Sequence, residues 1–92
     1  MSHKHLNVLR AIYQDPPGSN IHWREVESLL NHLGAEVEPA HGARFRVVLK
    51  RIEGFFHQPH HGNACDKQTI RAVREFLGRA GVSPSSYENQ KD

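Results

Sequence analysis

Apolar and polar positions alternate with different periods in different parts of this chain. Leu6, Leu9, Ile12 and Tyr13 recur three or four residues apart, which predicts a helix over residues 4–14. Asp15-Pro16-Pro17-Gly18-Ser19-Asn20 stops that pattern and forms a short linker. The helical period then returns with Val26, Leu29, Leu30 and Leu33. This second helix begins between Asn20 and Trp23. Asn20 is the better cap type, whereas His22 followed by Glu25 gives a box-like register with a weaker cap. Gly34 is expected at the left-handed position that ends it.

The period falls to two in the middle of the chain. Phe45, Val47 and Leu49 alternate with Arg44, Arg46, Val48 and Lys50, so one strand face is apolar and the other carries three cations. Val37 marks a short strand before it, with Ala40-His41-Gly42 as the turn. A third strand is expected over Ile52 to His57, after a tight turn near Arg51-Ile52-Glu53-Gly54. Pro59 should end it or hold it at an edge.

The helical period returns once more in Ile70, Val73, Leu77 and Ala80, widened by Phe76 and capped by Asp66. Gly81 should stop this helix, with Val82 folding back on Leu77. The polar stretch from Ser83, residues 83–92, is expected to fray. The order α-α-β-β-β-α predicts a single α+β domain over residues 1–92, with helices on one face of a three-stranded antiparallel sheet. Trp23 and Tyr13 are expected in helix packing, and Glu25 and Glu27, two apart, share no face.

Composition narrows the class. The 92 residues are 37% hydrophobic and 24% charged, enough for one modest core. No apolar run approaches the ~20 residues of a membrane span, and the first residues lack a secretory pattern, so a cytoplasmic protein is expected. A lone cysteine, Cys65, can form no internal disulfide, which agrees with a reducing compartment. The net charge of +2 is too mild to establish nucleic-acid binding, so clustering of the cations decides that question.

From Trp23 to Val82 the chain resembles the HicA toxins of bacterial HicA–HicB toxin–antitoxin systems. The resemblance is carried by a helix ending in LLNHLGAEV, a turn with HGARFRV, a strand leading into HQPHH, and the closing helix IRAVREFLGRAGV. It implies a double-stranded-RNA-binding-domain-like α-β-β-β-α core over residues 22–82, with residues 4–14 an added helix. It also implies that a histidine on the sheet cleaves mRNA and that a HicB-like antitoxin covers the site. That histidine ordinarily follows a Gly-Ser or Gly-Thr pair, and here the place reads Gly42-Ala43-Arg44. A guanidinium binds phosphate but is a very poor general base. Either another histidine carries the chemistry, or the protein binds RNA without cutting it.

Three histidines and Cys65 fall within nine residues, His57 to Cys65. Metal-independent ribonuclease chemistry needs a base for the 2′-hydroxyl and an acid for the leaving oxygen, roles histidine fills near neutral pH. His57 near a strand end is the candidate base, with His60 or His61 as candidate acid and His41 as a nearby alternative. Arg44, Arg46 and Lys50 on the strand, with Lys67, Arg71 and Arg74 on one helix face, are the candidate phosphate contacts. His57-x-x-His60 with Cys65 offers zinc-compatible ligand types, yet no second pair of ligands exists elsewhere, so no metal or other cofactor is expected. Cys65, just before the Asp66 cap, is expected to have a slightly lowered thiol pKa.

Overall fold

The computed structural model describes residues 3–16, 18, 20–57 and 64–89, with the element order α1 (His3–Tyr13), α2 (Trp23–His32), β1 (Glu36–Ala40), β2 (Arg44–Leu49), β3 (Ile52–His57), α3 (Lys67–Arg79) and α4 (Pro84–Asn89). The three strands form one antiparallel sheet in the order β1-β2-β3. An N-terminal helix thus precedes an α-β-β-β-α arrangement, the α+β class that the periodicity predicts. Among the described residues no helix is long and apolar enough to cross a membrane.

The helices end where the glycines require it. Gly34 has φ 93°, and the amide of Ala35 reaches back to the carbonyl of Leu30 at 2.9 Å. Gly81 has φ 78°, and the amide of Val82 reaches Leu77 at 2.8 Å, with Val82 itself buried. Both are Schellman closures, which satisfy terminal carbonyls through a left-handed residue. At the start of α2, His22 is the N-cap residue, and its backbone N–H donates to the Glu25 carboxylate at 3.0 Å. The imidazole adds no cap bond, because His22 Nδ1 is buried without a partner. Asp66 caps α3 by accepting from the Thr69 amide at 2.7 Å.

The core lies between the helices and one face of the sheet. Leu9, Ile12, Val26, Leu29, Leu30, Val47, Val73 and Leu77 are all completely buried. A chain of rings links the layers. Trp23 stacks on Phe45 of β2 at 5.0 Å, tilts against Phe56 of β3 at 6.3 Å, and Phe56 meets Phe76 of α3 edge-on at 5.5 Å. Gly54 permits that last approach, since a Cβ there would lie 2.8 Å from Phe76 Cδ1.

Residues of α1 belong to this core. Leu9 and Ile12 fill it, the Tyr13 hydroxyl donates to the Val82 carbonyl, and Arg74 Nη1 donates to the Gln14 carbonyl at 3.3 Å. His5 of α1 stacks on His32 of α2 at 4.6 Å and lies 2.9 Å from Ser28 Oγ.

Three expectations are corrected, the first at the β1–β2 turn, which is His41-Gly42-Ala43 because Ala40 still pairs with Arg44 at the end of β1. The β2–β3 turn is Lys50-Arg51, with φ of 51° and 70°, and Ile52 already belongs to β3. Both turn residues are left-handed, the two-residue hairpin geometry that matches strand twist, although neither is the Gly or Asn that ordinarily signals it. Lys50 therefore lies beyond β2 and does not share its cationic face. The segment after Ser83 also forms a helix. Ser83 Oγ accepts from the Ser86 amide at 3.1 Å, Ser86 Oγ accepts from the Ser83 amide at 2.8 Å, and Pro84 fills the first helical position.

Two outcomes follow for stability. Replacing Lys50→Asn together with Arg51→Gly should raise stability by roughly 1 kcal/mol, or about 4–8 °C in Tm by calorimetry, because both new residues tolerate positive φ. Burial, then the neighbouring His32 and Lys4, lower the His5 pKa below its ordinary 6.5. Arg24, Glu25 and Ser28 also line the space around His5. A depressed imidazole pKa contributes stability that is fully present above the unfolded value and lost as pH falls through the folded one. Thermal stability should therefore decline as pH drops below 6.5. His5→Phe should flatten that part of the curve, and an unchanged curve would count against the assignment.

Candidate functional site

Strand alternation sends Phe45, Val47 and Phe56 into the core and their neighbours to the outer face of the sheet. Glu38 and Ala40 of β1, Arg44, Arg46 and Val48 of β2, and Glu53, Phe55 and His57 of β3 share that face. The register pairs Arg44 with His57 and with Ala40, and Arg46 with Phe55 and with Glu38.

At one end of this face Arg44 is held from two sides. Its Nε donates to the His41 carbonyl at 3.0 Å, and its guanidinium carbon lies 5.3 Å from the centroid of the Phe55 ring. A cation over an aromatic face gains electrostatically from the ring quadrupole. With Nε engaged and the plane supported, the two terminal nitrogens remain as a fork suited to a phosphate or carboxylate. Phe55 is 47% exposed, the one large hydrophobic side chain left open among the described residues. His57 is exposed directly across from Arg44. The backbone and side-chain hydrogen bonds of Thr69 hold the Asp66 carboxyl below the usual range, with a smaller contribution from His57.

The centre of the face has a different character. Arg46 bonds to Glu53 on β3 and to Glu38 on β1, the latter at 3.3 Å. Two carboxylates around one guanidinium leave no surplus positive charge there. Of the strand cations expected to act together, Arg44 is the one set up for an anion and Arg46 is spent on its neighbours. Lys50 stands six residues from Arg44, about 20 Å along the strand.

The helix cations form a separate set. Lys67 and Arg71 are exposed on the first turns of α3, and Arg74 is directed to the end of α1 by its bond to Gln14. Arg74 is thereby taken up by the helix layer, whereas Lys67 follows Asp66, whose carboxyl feels the charge of His57, so the start of α3 lies on the corner's side of the molecule. His41 lies in the β1–β2 turn at the Arg44 end of the sheet. His60 and His61 lie outside the described residues.

Cys65 differs from expectation. Its amide donates to the Ile21 carbonyl at 2.7 Å, and burial, with the charges of Asp66 and Glu25, pushes the thiol up to about 11. Desolvation outweighs the nearby helix N-terminus, so the thiol stays protonated and a poor nucleophile.

Sequence reading passed over Phe55 and the carboxylates around Arg46. The alternation in Phe55-Phe56-His57 already placed Phe55 beside His57, a signal that was present. Glu38 and Glu53 come from two other strands and were legible only once the register was known.

A family model described as the HicA toxin of bacterial toxin–antitoxin systems matches residues 23–82, from the start of α2 to the end of the α3 closure. No curated protein and no solved structure matches the chain.

The division of labour between the two strand arginines is testable with inorganic phosphate. In a titration followed by NMR, the side-chain and backbone signals of Arg44 and His57 should shift, while those of Arg46 stay nearly fixed. Arg44→Ala should abolish the response, and Arg46→Ala should leave it in place.

Proposed function

The chain belongs to the HicA toxin family, and from that membership we propose that it acts on RNA at the corner of the sheet where Arg44 faces His57. The observation that carries this reading is the direct cross-strand pairing of those two residues on the exposed face. Arg44 would take a phosphate oxygen with its free fork. His57 would accept the proton of the adjacent 2′-hydroxyl. The 2′-oxygen then attacks phosphorus, the bond to the 5′-oxygen breaks, and an acid protonates that leaving oxygen. The products are a 2′,3′-cyclic phosphate and a 5′-hydroxyl. His41 at the same end of the sheet and His60, three residues after His57 in the sequence, are the candidate acids. Arg44 also stands where it can stabilise the added negative charge of the phosphorane.

A toxin of this family works against an antitoxin partner. We assign mRNA as the substrate and a HicB-like protein as the antitoxin covering the Arg44–His57 corner, in the cytoplasm. No small-molecule cofactor enters this scheme. A second reading has its own support. The resemblance places the family's catalytic histidine where this chain carries Arg44, and a guanidinium cannot serve as base. On that reading the protein is an RNA- or HicB-binding module that binds without cleaving.

Salt dependence and product analysis separate the readings. With Arg46 and Arg74 engaged elsewhere and Lys50 at the far turn, Arg44, Lys67 and Arg71 remain for phosphates. About three contacts to a single strand give a log–log salt slope of roughly −2. Binding that does not respond to salt would remove RNA as the ligand. Cyclic-phosphate termini that vanish in His57→Ala, with binding retained, would support cleavage. Salt-sensitive binding with intact RNA would support the module.

A further inference from the structure

The two edges of the sheet are built differently. Because Lys50-Arg51 is a two-residue turn, Leu49 and Ile52 close the hairpin as a hydrogen-bonded pair. Antiparallel pairs alternate between bonded and non-bonded, so Ile52, Gly54 and Phe56 direct their amides and carbonyls to β2. Glu53, Phe55 and His57 then direct theirs to the other edge of β3, which pairs with nothing among the described residues. Carrying the same alternation across β2 turns Val37 and Pro39 of β1 outward. Pro39 has no N–H to offer, a common way of closing an edge strand to further pairing. The β1 edge is blocked and the β3 edge is open.

The open edge is complementary to itself. We infer that two copies of this chain pair antiparallel through β3, about a two-fold axis at Phe55. In that register each Phe55 lies opposite the Phe55 of the second copy, and each Glu53 lies opposite the second copy's His57. All three outward-facing residues of each strand then exchange main-chain hydrogen bonds. The exposed Phe55 gains an aromatic partner, and a carboxylate meets an imidazole at both flanks. A slip by one residue pair sets Glu53 or His57 against Phe55 and leaves an outward residue of each copy unpaired. The flank of α3 along this edge presents Ala72, Glu75 and Arg79. These are one small residue and one charge of each sign, so an identical flank meets it without net repulsion. The contact is isologous, the same patch on both partners, as closed dimers require. The result is one continuous sheet whose outer face holds both Arg44–His57 corners.

Sedimentation and disulfide trapping test this pairing without reference to RNA, so its failure is separate from that of the RNA reading. At concentrations on the order of 100 μM, enough to populate a micromolar contact, the full chain should sediment as a dimer. Phe55→Lys, which sets like charges on the axis, should give a folded monomer by circular dichroism. Hydrogen-bonded antiparallel partners have Cα atoms about 5.5 Å apart, within disulfide range. Phe55→Cys in a Cys65→Ser background should therefore form a covalent dimer under mild oxidation. A wild-type monomer at that concentration, or a dimer that persists in Phe55→Lys, would overturn the inference.

Discussion

Trp23 lies flat on Phe45 and leans on Phe56, and those two phenylalanines are direct cross-strand partners. One indole at the head of α2 therefore fixes the pairing of β2 with β3. Because side chains alternate, the residues beside that pair, Arg44 and His57, are placed opposite each other on the outer face by the same contact. A slip of one residue would turn the whole strand over and bury the charges. The geometry of the site is thus set from inside the core. The T-shaped meeting of Phe56 with Phe76, allowed by Gly54, extends the constraint to α3.

The outer face divides its charges by position. Arg46, at the centre, is flanked by carboxylates from both neighbouring strands and is neutralised by them. Arg44, at the end, has a carbonyl and a ring for neighbours, which orient the guanidinium without cancelling its charge. Two arginines one strand repeat apart thus have opposite availability for an outside anion. On the proposed reading, a ligand phosphate is directed to the corner and kept from the acidic middle. A sequence-level count of cations would have treated them alike.

The helices and their ends were legible because the signals are local: apolar stripes at helical spacing, and Gly34 and Gly81 where left-handed residues are needed. The alternation in β2 likewise showed which side is buried. The β2–β3 turn was misplaced because Lys50 and Arg51 adopt left-handed geometry without the residues that usually mark it. The final helix was passed over because a polar composition hid its cap, Ser83-Pro84 with Ser86. The partners of Arg46 and Arg74 come from other elements, and Gln14 is 60 residues from Arg74 in the chain. Cys65 went the other way from expectation because partial burial against the core removes the water that a thiolate needs. Local pattern shows which residues face out, whereas register and burial decide what they can do.

The N-terminal helix lies outside the matched family region, yet Leu9 and Ile12 are among the most deeply buried residues. It is joined to the rest through Tyr13 at Val82, Arg74 at Gln14, and the His5–His32 stack, so it acts as part of one cooperative core. The central claim is that the corner held by Trp23 is where the protein acts, with His57 supplying what Arg44 cannot. Growth after induced expression in bacteria tests it most directly, comparing wild type with Arg44→Ala and His57→Ala at equal, folded protein levels. The account predicts arrest by wild type and relief by each substitution; full arrest by His57→Ala would contradict it.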